Sequence, residues 1–369
     1  MNLYFDSYYD WWKNIDKTIL SIVSLLFVLG LFFSLVSTSI IASDKLDTNS
    51  YYFFLKHLVF VIIGISIILV FSILNQELII KLSIILFFFA FIALMLVPIV
   101  GIEVKGSKRW LSLGSLPRFQ PIETLKPFFI IFTSFILSID KKNLYFKYLL
   151  SICILIPTVI LLLSQPDLGQ TLLIFSVWLS IIFVSGINIV VFSFSLSFVC
   201  ALTSFLIFFV PKFEYIKFRI IAFLDKSGGN NYQADKASDA ISSGGFFGKG
   251  IGEGTLNSRI PEAHTDYIMS VIAEEFGVLI VISILLIYLI FSYRVIKKIT
   301  NIDENNFKLI LVGCITLILI QTFIHLGVNI RMLPTTGMTM PFLSYGGSSI
   351  IGTSIIAGII LNLTKRKIN

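Results

Sequence analysis

Residues 78–100 read LIIKLSIILFFFAFIALMLVPIV, with Lys81 as their only charge. An α-helix rising about 1.5 Å per residue needs about 20 apolar residues to cross a bilayer's hydrocarbon. This run has that length and no polar–apolar alternation. A helix satisfies its own backbone in lipid, so the run reads as a spanning helix rather than a barrel strand. Working outward, comparable runs lie near residues 18–42, 52–74, 122–139, 145–164, 168–186, 187–210, 266–293, 307–331 and 344–364. The fifth to seventh are separated only by Gln165-Pro166-Asp167 and Gly186-Ile187-Asn188.

Composition agrees. The chain is 56% hydrophobic and 13% charged, with mean hydropathy +0.94, which excludes an ordinary soluble domain. The first run is too long for a signal-peptide core and is expected to be retained. The expected fold is therefore all-α and integral to the membrane. Ten transmembrane helices would form one domain over residues 1–369, with a large extracytoplasmic loop, about 211–265, between helices seven and eight. Cys153, Cys200 and Cys314 all fall inside predicted helices, so no extracytoplasmic disulfide is expected.

Lysine and arginine in short loops set the orientation. With ten helices, Lys13, Lys17, Lys81, Lys141, Lys142, Arg294, Lys297, Lys298 and the tail Lys365-Arg366-Lys367 share one side. That side is expected to be cytoplasmic, with both termini inside a cytoplasmic (inner) membrane. Lys105, Lys108, Arg109 and Arg118 sit opposite in one loop, and a basic cluster kept there suggests an anionic ligand.

The outer segments carry the candidate chemistry. Gly106-Ser107-Lys108-Arg109-Trp110-Leu111 is either an interfacial anchor or a site for lipid-linked phosphate. Pro121 suits a first helical turn, so Glu123 and Lys126 enter the fourth helix three residues apart, as an ion pair, a cavity wall or both. Asp167, in the turn Gln165–Gly169, either caps the next helix or meets substrate. Pro211–Arg219 alternates basic and aromatic residues, as a segment lying at the interface would. Gly244, Gly245, Gly248, Gly250, Gly252 and Gly254 permit an anion-cradling nest or simply a flexible loop. No Walker ending follows and no strand precedes it, so nucleotide binding is not expected; nucleic acid is not expected as a partner either.

Pro261–Asp266, PEAHTD, directly precedes an apolar helix. Thr265 is the expected N-cap, placing Asp266 in the first turn, where the dipole lowers and desolvation raises its pKa. Glu274, eight residues on, needs a cavity or a partner, with Lys126 a candidate. His57, His264 and His325 lack metal-ligand spacing, so no metal site and no built-in cofactor is expected. Pro334–Ser349 links helices nine and ten, and its small residues allow close packing; Arg331 adds a cation beside it.

Taken together and in this order, these blocks resemble the SEDS family (shape, elongation, division and sporulation), integral-membrane peptidoglycan glycosyltransferases, over nearly the whole chain. Pro261–Asp266, Leu333–Ser349 and Tyr232-Gln233 resemble its division-type more than its elongation-type members. Departures are Ile122 where serine is usual, Tyr267 for phenylalanine and Arg331 where glycine is common. The resemblance implies polymerisation of lipid II, a polyprenyl-pyrophosphate-linked disaccharide peptide, on the outer membrane face. Asp266 matches the family's essential carboxylate and would be the catalytic base. Glu123, Lys126 and Asp167 match further family positions. Lys108, Arg109, Glu123, Lys126, Asp167, His264 and Glu274 are the substrate-binding candidates. Lys108 and Arg109, with Lys249 or Arg259, would stabilise the leaving pyrophosphate, and whether a divalent cation accompanies it is open. Implied partners are a class B penicillin-binding protein transpeptidase, other divisome proteins and membrane lipids, with the septum as location. The alternatives are an elongation-type polymerase, a lipid II flippase, and a noncatalytic scaffold. Transporter sites usually lie near the midplane, whereas these charges gather at one face.

Overall fold

The computed structural model describes residues 8–45, 51–104, 107–112, 114, 117–139, 143–224, 232–256, 260 and 262–366. Lys105, Lys141, Lys142, Arg259 and Lys367 lie outside the described residues.

The helices are α1 (Tyr8–Asn14), α2 (Lys17–Lys45), α3 (Tyr52–Ile73), α4 (Gln76–Val100), α5 (Pro121–Ser138), α6 (Leu144–Ser164), α7 (Leu168–Val184), α8 (Ile189–Phe209), α9 (Glu214–Leu224), α10 (Tyr232–Gly244), α11 (Ile268–Phe276), α12 (Val278–Ile299), α13 (Asn305–Asn329) and α14 (Gly347–Leu363). Eight are long and apolar enough to span a membrane; α7 and α14 are shorter apolar helices. Nine of the ten apolar runs of the sequence each coincide with one of these helices.

The eighth run differs. It is broken at Gly277, whose φ of +83° lies in the left-handed region where glycine alone is unstrained. A second departure from an all-α reading is a hairpin, β1 (Ile102–Val104) against β2 (Ser107–Trp110), antiparallel.

Burial sorts the helices. In α5, 78% of the apolar window is buried, and in α13 67%, against 0% for α8. Nearly all of α14 is buried, packed between α3 and α5. Its small residues permit that: a Cβ at Gly352 would lie 2.2 Å from the Glu123 carbonyl. A central α5–α13–α14 layer thus carries polar side chains that lipid would not tolerate, while α3, α4, α6, α8 and α12 turn apolar faces outward.

Candidate active site

The site begins where α5 starts. Pro121 occupies the first helical turn, and three residues apart Glu123 and Lys126 meet at 2.8 Å, both buried. Each has a second partner. Gln170 of α7 donates to Glu123 Oε1 at 2.6 Å, and Lys126 Nζ donates to Gln321 Oε1 of α13 at 3.2 Å. Gln321 in turn donates to the Thr339 carbonyl. A buried pair needs such extra hydrogen bonds to offset desolvation. Lys126 is therefore committed here and does not pair with Glu274.

The turn before α7 is held the same way. Asp167 caps α7, accepting from the Gln170 N–H at 3.3 Å. Arg109 spends its whole guanidinium on this turn. Nε donates to the Gln165 carbonyl, Nη2 to the Pro166 carbonyl, and Nη1 lies 3.7 Å from Asp167. Burial pushes the Asp167 carboxyl above its ordinary range, and Arg109 only partly offsets this. Lys108, its neighbour on β2, points the other way and is exposed, because successive strand side chains alternate. The two basic residues expected to act together are on opposite faces.

Asp266 sits one residue outside a helix. α11 starts at Ile268 with Tyr267 as its N-cap, so the expected Thr265 cap is not formed. The Thr265 hydroxyl instead donates back to the Glu262 carbonyl, closing a turn over residues 262–267. Three contacts fix that turn from below. Ser344 Oγ donates to the Thr265 carbonyl (2.7 Å), the Tyr345 N–H to the His264 carbonyl (3.2 Å), and Asn329 Nδ2 to the Asp266 carbonyl (3.1 Å). Asn329 also accepts from the Ser270 N–H and hydroxyl. The His264 ring rests between Phe53 and Tyr345, 4.9 and 5.6 Å between centroids.

Glu274 is elsewhere. It is fully buried at the far end of α11, paired with Lys249 Nζ at 3.2 Å and accepting from the Leu256 N–H. The glycine run is spent on the same helix end. The Lys249 and Gly250 N–H groups reach the Glu274 and Glu275 carbonyls, and the Gly252 N–H reaches the Glu275 carboxylate. The last carbonyls of a helix need outside donors, and here the glycine run supplies them. It is a scaffold, not an anion nest.

A cavity of about 1220 Å³ gathers what remains. Asp266, Glu262, Thr265, Glu123, Arg109 and Trp110 line it, with Arg118 and Arg219, and the α3 residues Leu55, Val59 and Ile63 form one wall. Of the expected binding residues, Arg109 and Glu123 border the cavity. Lys126, Asp167 and His264 stand behind it, and Lys108 and Glu274 are absent from its lining. Sequence reasoning missed Gln170, Gln321, Asn329 and Arg219; a carboxamide inside an apolar run was the available signal for the first three. Among the described residues, no group of histidine, cysteine, aspartate and glutamate could hold a metal ion.

Fold and cavity define a polytopic helical membrane protein with an ionisable site at one end of its bundle. The family model FTSW_RODA_SPOVE, described as "Cell cycle protein", matches residues 16–369, and the chain belongs to that family, the SEDS proteins. A Nitrosomonas europaea protein named probable peptidoglycan glycosyltransferase FtsW is 34% identical, covering 95% of this chain and 92% of its own. One of the same name from Haemophilus influenzae is 31% identical over 96% and 93%. A chain from a solved structure on "coordination of polymerization and crosslinking by a peptidoglycan synthase complex" superposes with TM-score 0.77, at 25% identity over 95% of this chain and 97% of its own. The Thermus thermophilus rod shape determining protein RodA gives 0.69 at 24% identity, over 96% and 97%, a likeness of fold alone.

Proposed function

We propose that this protein is a peptidoglycan glycosyltransferase that polymerises lipid II into glycan strands, as the names of its relatives suggest. One observation carries the reading: the cavity puts a carboxylate, a set of cations and an apolar wall open to lipid in one place. Leu55, Val59 and Ile63 follow one face of α3 and are 52%, 54% and 40% exposed, a surface suited to a polyprenyl chain. At about 1220 Å³ the cavity exceeds the roughly 300–1,000 Å³ of sites for drug-sized ligands, in keeping with two large substrates.

In this reading Asp266 removes the proton of the acceptor sugar's 4-hydroxyl. The oxygen attacks the donor's anomeric carbon from the face opposite the pyrophosphate, that carbon's bond to the phosphate oxygen breaks, and polyprenyl pyrophosphate leaves with the electron pair. The configuration inverts. A positioned base of this kind contributes about 10²- to 10⁴-fold. Glu123 borders the same cavity, with Lys126, Asp167 and His264 acting through the groups they hold. A divalent cation would come with the substrate pyrophosphate, not with the protein.

The same reading takes the chain as one domain of ten spans, α7 and α14 completing the eight long helices. The segment between α8 and α11 would be outside and both termini in the cytoplasm. A class B penicillin-binding protein would crosslink the product, among divisome partners at the septum, and the division-type sequence blocks favour that role over elongation. The test supplies lipid II to the purified protein with its transpeptidase partner and measures glycan. Glycan formation is expected; vesicles that translocate lipid II without making glycan would identify a flippase instead.

A further inference from the structure

The C-terminal end of α13 reaches two outer segments through neighbouring side chains. Asn329 holds the Asp266 carbonyl. Two residues on, Arg331 Nη1 lies 2.5 Å from Asp235 Oδ1, in the first turn of α10. Arg331 stands in left-handed backbone, with φ +58°, which a residue bearing a Cβ adopts at a cost in strain. Such strain persists where surrounding contacts hold it, and the pair with Asp235 is the contact that does so here. Both side chains are partly buried, so solvent screens the pair less than one on the open surface.

α10 is fastened at both ends. At its last residue, Gly244, a Cβ would lie 1.9 Å from the Ala273 carbonyl of α11, and Ala237 and Ala240 are fully buried on the face that packs there. At its first turn the anchor is Asp235, where the helix dipole also favours a carboxylate. Gln233, two residues earlier, lines the cavity that Asp266 lines. Helix residues two apart point to different faces, so Asp235 turns to α13 while Gln233 turns to the cavity. Among the described residues the Gln233 carboxamide makes no hydrogen bond. A carboxamide offers two N–H donors and an oxygen acceptor without charge, which suits the hydroxyl groups of a sugar better than a pyrophosphate.

We propose that Gln233 binds a sugar of the lipid-linked disaccharide, and that Arg331 is a positioning residue that holds Gln233 at the cavity through Asp235. One end of α13 then sets both the carboxylate, through Asn329, and the carboxamide, through Arg331. The choice of a sugar as ligand rests on the polymerase reading; the placement of Gln233 by Arg331 does not.

The experiment measures kcat and KM for lipid II with the partner-bound protein, lipid II binding to the full chain in nanodiscs, and unfolding midpoints. Gln233→Ala is expected to raise KM and weaken binding about three- to tenfold, the size of one lost hydrogen bond, with kcat nearly unchanged. Arg331→Gln and Asp235→Asn should reproduce part of that rise, and Arg331→Lys, which keeps the charge, less of it. Adding Arg331→Gln to Gln233→Ala should raise KM no further, because one residue acts through the other. Lys236→Ala, which breaks an exposed pair with Asp239 on the same helix, should keep the wild-type KM. Wild-type KM and binding in Gln233→Ala overturn the proposal. So do Arg331 and Asp235 variants with lower midpoints but unchanged KM, or a KM effect that adds in the double variant. A wild-type protein that binds lipid II through Gln233 but forms no glycan refutes the polymerase reading alone.

Discussion

Asn329 shows how one buried side chain can hold the turn that carries Asp266. Its carboxamide is wholly buried, donating to the Asp266 and His325 carbonyls and accepting twice from Ser270. Asn329→Asp keeps the shape but turns an oxygen toward two carbonyls. A loss of about 2 kcal/mol or more in thermal unfolding is expected, with a lower kcat for glycan synthesis; unchanged values for both would remove this role. Arg331 makes a different point. Its φ of +58° is the left-handed region, which favours glycine, and its guanidinium reaches Asp235 of α10 at 2.5 Å. Both Arg331→Gly and Arg331→Ala delete that pair, so glycine should be the more stable of the two by about 1 kcal/mol, read from unfolding midpoints. Sequence reading singled out Asp266, Glu123 and Lys126 because an ionisable group in an apolar context stands out. It offered Lys126 both Glu123 and Glu274 as partners, and the fold decides for Glu123, since pairing across helices depends on which faces meet.

Among the elements, the glycine run and α11 behave as one piece. Gly248 has φ +79°, and a Cβ there would lie 2.1 Å from the Glu275 carbonyl. Gly248→Ala should therefore cost about 2 kcal/mol or more, and it should lower activity by shifting the helix that follows Asp266, measured by unfolding and glycan assays together. Gly245→Ala also has a positive φ but meets nothing within 4 Å, so it should be milder. Apolar runs revealed almost every helix, because lipid demands about 20 such residues whatever the partner. The break at Gly277 stayed hidden: a glycine in an apolar run reads as tolerated until the carbonyls around it are seen. The ion pair inside α5 belongs to this scale too. Lys126→Met alone leaves a buried carboxylate and should cost about 3–5 kcal/mol, whereas the double variant with Glu123→Gln should cost clearly less than the sum.

Across the whole molecule, the two ends of the bundle use charge differently. At the end away from the cavity, Asp16 accepts from the Thr18 and Ile19 N–H groups and from Arg294 and Lys298 of α12, at 3.0 and 3.2 Å for the two cations, tying α2 to α12. Burial alone would raise the Asp16 carboxyl, but the hydrogen bonds from Arg294, Ile19 and Lys298 bring it below its ordinary value of 3.8. A depressed pKa means stability present above the unfolded value and lost as the pH falls through the folded one. Asp16→Asn should thus lower the unfolding midpoint at neutral pH, and the gap to wild type should close once the pH drops below 3.8. At the other end, charged groups are gathered around the cavity that Asp266 lines. The most direct test is the rate of glycan formation from saturating lipid II by the partner-bound protein, comparing wild type with Asp266→Asn. A fall of about 10²- to 10⁴-fold in a folded variant is the predicted result; equal rates would contradict Asp266 as the base.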